Sequence, residues 1–331
     1  MGSTPTASTI AGPSAKPVPN GRFAEGLCFA RVLRGFRDLR RSGASSENAG
    51  DASSQAGNAL STFSFSAHFG LPSETENPGY VVDYGTWPDQ RRRYFSLADA
   101  NPTLQSTYPH AGLEGQLYAG LEKLTDAMLG REWLRRDGTP LKIERCLIDA
   151  NWGDSTEVVY QFCRQTKWAN IVLPSHGRYV GASSKPMSEY KKVAGDRVGF
   201  NWRIPTVAGR RAIRHVVYDT NFWKSFVQKR LQTAMGDRGC LSLWGREPER
   251  HLLYAEHMTA ECKVRTEGRG RVVDEWKMRP ESRDNHWWDG TVGCAVAASM
   301  CGCVLPGTDN LRPKKDAKPR LKLSEIRKNK R

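Results

Sequence analysis

Apolar residues recur along this chain at two periods, and the alternation between them predicts a strand and helix order. Tyr80-Val81-Val82-Asp83-Tyr84-Gly85 is a short apolar run closed by a turn, the pattern of a buried strand, and Arg93 to Leu97 suits a neighbouring one. Leu113, Leu117, Leu121, Leu124 and Met128 then fall on one face of a helix that ends near Gly130. Ile143 to Asp149 predicts a second buried strand, and Val158, Val159, Phe162 and Cys163 share one face of the helix after it. Ile171 to Pro174 and Ile213 to Tyr218 predict further strands, and Phe222 to Met235 a helix. A hairpin over 260–264 and 271–276 precedes a closing helix from Asn285 to Met300. This order implies an α/β fold with a central mixed sheet flanked by helices.

The pattern is weak before Gly79. Residues 1–20 and 42–78 are rich in Ser, Thr, Ala, Gly and Asn, which predicts a low-complexity, disordered linker over 1–78. Within it, Phe23, Leu27, Ala30, Val32, Leu33 and Phe36 alternate with arginines in a way that suits a short basic amphipathic helix around 22–41. The ordered domain is expected over 79–303, followed by a basic disordered tail over 304–331.

Composition narrows the function classes. Of 331 residues, 38% are hydrophobic and 26% charged, as in globular proteins with a real core. No run of 18 apolar residues occurs, and Met1 to Pro19 lack the apolar stretch of a secretory signal, so the expectation is a cytoplasmic protein without a membrane partner. The formal charge of +15 favours a polyanion, with nucleic acid the leading candidate. The eight cysteines show no C-x2-C pairing, so neither a zinc module nor a disulfide framework is expected.

Three acids stand at ends of these elements. Asp83 and Asp149 close two strands at the edge where α/β sheets bind ligands. Asp289 opens the last helix, on the face shared by Val292, Gly293, Val296 and Met300. Each alone is more often a turn or cap residue. Together they would repel one another unless divalent cations neutralised them, and hard oxygen ligands select Mg²⁺ or Mn²⁺. Two such ions serve in-line phosphoryl displacement, so phosphodiester hydrolysis follows if the three acids converge.

At these residues the sequence resembles the large terminase subunits of the lambda-like GpA type. The resemblance is carried by Val82-Asp83-Tyr84-Gly85-Thr86-Trp87-Pro88-Asp89-Gln90, by Ile148-Asp149 followed by Asn151-Trp152-Gly153, and by Asp284-Asn285-His286-Trp287-Trp288-Asp289 running into Val292-Gly293-Cys294-Ala295. It implies an RNase H-like nuclease domain in which Asp83, Asp149 and Asp289 bind two Mg²⁺ or Mn²⁺ ions and cut DNA during phage genome packaging. Double-stranded DNA, a terminase ATPase motor, the small terminase subunit and the portal are the partners it implies, in the cytoplasm of a bacterial host carrying a phage or prophage. Members of the family carry an ATPase ahead of the nuclease, yet no G-x-x-x-x-G-K-[ST] occurs in this chain, so the motor is expected elsewhere.

From Pro174 to Arg214 nine basic residues face only Glu189 and Asp196. Arg178, Lys185, Lys191, Lys192, Arg197, Arg210 and Arg211 of this segment are the expected DNA-gripping residues, because phosphate contacts are electrostatic and largely independent of sequence. A prophage remnant that binds DNA without cutting it, or an RNase H-like recombination nuclease of another family, are the competing readings.

Overall fold

The computed structural model describes residues 28–34, 63–70, 79–134, 140–151, 155–207, 213–282 and 284–302. The strands are β1 (Cys28–Arg34), β2 (Phe63–Gly70), β3 (Gly79–Trp87), β4 (Trp133–Leu134), β5 (Pro140–Leu141), β6 (Ile143–Asp149), β7 (Val172–Arg178), β8 (Arg197–Gly199), β9 (Trp202–Ile204), β10 (Val216–Asp219), β11 (Leu241–Leu243), β12 (Glu261–Gly268) and β13 (Arg271–Met278). The helices are α1 (Leu104–Thr107), α2 (Leu113–Leu129), α3 (Thr156–Gln165), α4 (Thr220–Gln232), α5 (Leu252–Thr259) and α6 (His286–Met300).

Nine strands form one mixed sheet in the order β11-β3-β2-β1-β6-β7-β10-β9-β8. β6, β7 and β10 run parallel, and β9 and β8 continue antiparallel at one edge. The parallel trio is buried on both faces, as such strands require. Cys146 and Ile148 of β6 join the core beneath α2 and α3, whereas Leu147 points into the core beneath α4 and α6. One sheet thus separates two helical layers, the central mixed sheet flanked by helices that the sequence predicts.

The helices follow their apolar stripes. Leu117, Leu121, Leu124 and Met128 of α2 are buried, while Leu113, expected on the same face, is 49% exposed in the first turn. Val158, Val159, Phe162 and Cys163 of α3 are all buried. α6 is apolar nearly all round, with eleven of its residues buried, because it lies across β1, β2 and β6 on one side and against α4 and α5 on the others. Trp287 docks on Tyr84 of β3 at 4.7 Å between ring centres, and Trp288 on Trp276 of β13 at 5.3 Å, so the tryptophan pair pins the start of α6 from two sides.

Several expectations are corrected. Residues 28–34 form a strand in the sheet where an amphipathic helix over 22–41 was expected. The alternation of Phe29, Arg31 and Leu33 with Ala30 and Val32 serves period two once a sheet offers partners, and β-branched or aromatic residues favour that state. β2 lies inside the segment expected as a linker, so the sheet does not begin at Gly79. Its Phe-Ser-Phe-Ser alternation is the period-two signal that polar composition masked. Arg93 to Leu97 is not a strand; it runs from a bend into a 3-10 turn at Leu97–Asp99. The remaining parts of 1–78 and the tail over 304–331 lie outside the described residues.

Candidate active site

The carboxyl ends of β6 and β7 and the β10–α4 junction open onto a cleft that the start of α6 closes from above. Asp149, Asn151, Ser175, Gly177, Thr220, Lys224 and Asp289 supply its polar lining, with Leu147, Tyr218, Gly290 and Gly293 between them. This is the edge at which parallel strands deliver side chains from a rigid scaffold. Asp149 reaches it because Leu147 and Asp149 alternate with the core-facing Ile148. Asp289 reaches it from the first turn of α6, where a negative charge is also favoured by the helix dipole.

A buried lysine ties the acid of α6 in place. The Lys224 ammonium lies 3.0 Å from Asp289 Oδ1 and 2.6 Å from Glu261 Oε1. Asn285 Nδ2 donates to Glu261 Oε1 at 2.6 Å and to Asp289 Oδ2 at 3.1 Å. Burial works against the charged form of Lys224, but Asp289 and Glu261 outweigh it and hold its pKa above the usual lysine value. Glu261 Oε2 is buried and meets no hydrogen-bond donor among the described residues. A carboxylate oxygen left in that state is normally satisfied by water or an ion.

On the opposite flank a hydrogen-bonded chain orders Asn151. Burial, then His215 and Arg178, push the His176 pKa down to about 4, so the ring is neutral near pH 7. A neutral ring donates once and accepts once. Its Nδ1 lies 2.8 Å from Asn151 Oδ1 and takes the proton, while the Tyr160 hydroxyl donates to Nε2 at 2.7 Å. Asn151 Nδ2 in turn donates to the Gly177 carbonyl at 3.0 Å, which fixes both sides of the amide at the cleft wall.

The three expected acids do not converge. Asp149 and Asp289 line one cleft, but β2 and β1 stand between β3 and β6, so Asp83 lies roughly 14 Å from β6 across the sheet at about 4.8 Å per strand. Its carboxylate faces the other helical layer, where it accepts from Arg131 at 3.2 Å, and Arg131 lies over the Trp133 ring. Among the described residues no group of three or more His, Cys, Asp or Glu is placed to hold a metal ion. The physical reason for the separation of Asp83 is the pairing of β1 and β2 inside the sheet, between β3 and β6. What the cleft does offer is two hard carboxylates, a donor set suited to a single Mg²⁺ or Mn²⁺ that keeps several of its waters.

Arg178, Lys185, Lys191, Lys192 and Arg197 are exposed, and Arg178 ends the cleft strand β7. Arg210 and Arg211 lie outside the described residues. The basic segment is not one loop, since β8 and β9 form a hairpin within it at the sheet edge. Asp196 anchors that hairpin by accepting from the Thr206 and Val193 amides and from Arg203, and these bonds pull its pKa down to about 2. Lys224 and Glu261 were missed from sequence, because a lone Lys inside a helix and a lone Glu at a strand start carry no spacing signal.

Among the described residues no helix is long and apolar enough to cross a membrane. No curated protein and no solved structure matches the chain. One family model does, that of the terminase large subunit gpA endonuclease domain, over residues 83–307, about two thirds of the sequence. Its limits enclose both acids of the cleft, the lysine between them and the basic segment. This chain therefore belongs to the gpA endonuclease-domain family of terminase large subunits.

Proposed function

We propose that the chain hydrolyses phosphodiester bonds of double-stranded DNA during genome packaging, at the cleft between the ends of β6, β7 and β10 and the start of α6. The observation that carries this reading is the meeting of Asp149 and Asp289 at that cleft, from elements 140 residues apart in sequence. Asp149 and Asp289 would hold one Mg²⁺ or Mn²⁺, and Glu261, with its unpartnered oxygen, backs them. When bound, such an ion supplies Lewis-acid polarisation of a phosphoryl oxygen. Asn151, held by His176, keeps its amide at the wall where a phosphate oxygen would lie, and Lys224 holds the Asp289 carboxylate toward the cleft.

Arg178, Lys185, Lys191, Lys192 and Arg197, with Arg210 and Arg211, would grip the DNA backbone on the side reached from β7. A packaging motor, the small terminase subunit and the portal are the protein partners of this reading, and a bacterial host cytoplasm is its place. The test is plasmid cleavage in Mn²⁺ by the wild type and by Asp149→Asn. Loss of more than about 100-fold in rate with the fold intact is expected, and equal cutting by the variant rejects the site.

The separation of Asp83 from the other two acids favours a second reading, a DNA-binding assembly protein of the same fold that no longer cuts. It predicts salt-sensitive DNA binding with no Mn²⁺-dependent cleavage by the wild type.

A further inference from the structure

We propose that Lys224 is a built-in cation of this site: its ammonium does at Asp289 and Glu261 what a second metal ion would otherwise do, and so sets the cleft for one divalent ion. The inference deepens the hydrolase reading and rests on it. Lys224 is only 8% exposed, and an ammonium so placed is costly unless fully paired. It is paired on two sides, to Glu261 Oε1 and Asp289 Oδ1, yet it still lines the cleft that Asp149 shares.

Charge counting supports a single ion. Asp149 and Asp289 in the cleft lining and Glu261 behind Lys224, set against the Lys224 ammonium, leave a formal −2, which one divalent cation neutralises. Without the lysine, the Asp289 and Glu261 carboxylates that it bridges would be left uncompensated beside the cleft. Geometry adds to the count. Lys224 holds Asp289 Oδ1 and Asn285 holds Oδ2, so each oxygen has one donor and keeps a lone pair free to meet an ion. Asp289 is therefore oriented before any ion arrives, and Lys224 acts as a positioning residue that also supplies charge.

A purely structural ion pair makes a different prediction from a stand-in for metal. Removing a structural lysine lowers stability and leaves intrinsic metal affinity unchanged or weaker. Removing a built-in cation leaves its carboxylates to recruit another. The experiment is calorimetric titration of the full chain with Mn²⁺ alone, together with plasmid-cleavage kinetics, for the wild type, Lys224→Met and Lys224→Arg.

The wild type is expected to take up one Mn²⁺. Lys224→Met is expected to bind Mn²⁺ about tenfold more tightly, or to take up a second ion, with kcat down about 100-fold and KM for DNA nearly unchanged. Lys224→Arg, which keeps the charge, should restore the wild-type stoichiometry. Weaker or unaltered Mn²⁺ binding by a folded Lys224→Met overturns the proposal while leaving an Asp149-dependent nuclease standing. A wild type that neither binds Mn²⁺ nor cuts overturns both. Should Lys224→Met not fold, Glu261→Gln serves instead: freed from Glu261, the ammonium pairs wholly with Asp289, and Mn²⁺ binding should weaken about fivefold. Undiminished binding by that variant overturns the proposal.

Discussion

Asn151 shows how a single side chain at this cleft is fixed by a neutral ring behind it, His176, through a direct hydrogen bond. The Tyr160–His176–Asn151 chain needs a neutral imidazole, and burial supplies one by lowering the His176 pKa to about 4 from an ordinary 6.5. The sign follows directly. The folded state binds the proton less readily than the unfolded chain, so the stability this gives is complete above pH 6.5 and is lost as pH falls toward 4. An NMR titration of the His176 ring should show its midpoint near 4; a midpoint at 6.5 would mean that the ring is solvated and the chain unformed. Charged residues obey the same local accounting. Asp289 and Glu261 compensate Lys224, and the pair at Arg131 compensates Asp83, which is 8% exposed.

At the scale of elements, the position of β3 decides which acids can work together. Following hydrogen-bonded partners across the sheet, Asp83 stands level with Ala67, then Arg31, then Cys146, three residues short of Asp149 along β6. Asp83→Asn is therefore expected to leave Mn²⁺ binding at the cleft unchanged and to cost about 1 kcal/mol through loss of the Arg131 pair. Denaturant unfolding with parallel Mn²⁺ titration checks both, and a collapse of Mn²⁺ affinity would mean that β3 sits beside β6 in solution. The stripe of α2, the apolar run of β6 and the start of α6 were legible in sequence because each carries its own periodicity over seven or more residues. Asp149 and Asp289 were legible for the same reason, as acids at the ends of such elements. β1 and β2 were not, since short strands such as Phe63–Gly70, with its Phe-Ser-Phe-Ser start, set amid Ser-, Ala- and Gly-rich sequence read as linker until a sheet pairs them. Nor could pattern alone place Asp83, because strand order is a tertiary fact that depends on what lies between β3 and β6.

Across the whole molecule, a formal charge of +15 is out of balance with a cleft whose own groups are net acidic. In the proposed function the two signs would serve different ligands: the acids a cation, and the exposed basic residues that continue from β7 a phosphate backbone. If the seven named basic residues each neutralise one phosphate, duplex binding should weaken with salt at a log–log slope of about −6. A slope near zero, measured by fluorescence anisotropy between low and moderate salt, would remove that surface from the account. Substitution of Lys191 and Lys192 together should flatten the slope by about two without changing Mn²⁺ affinity, which separates grip from chemistry.

A shared role for Asp149 and Asp289 in one metal-binding hydrolytic site has a direct consequence for DNA cleavage. The most direct measurement is supercoiled plasmid cleavage in Mn²⁺ by the wild type, Asp149→Asn and Asp289→Asn, with folding of each verified by circular dichroism. Nicking by the wild type and its loss in both variants are expected; a wild type that leaves the plasmid intact, or either variant cutting at the wild-type rate, would rule out a shared site.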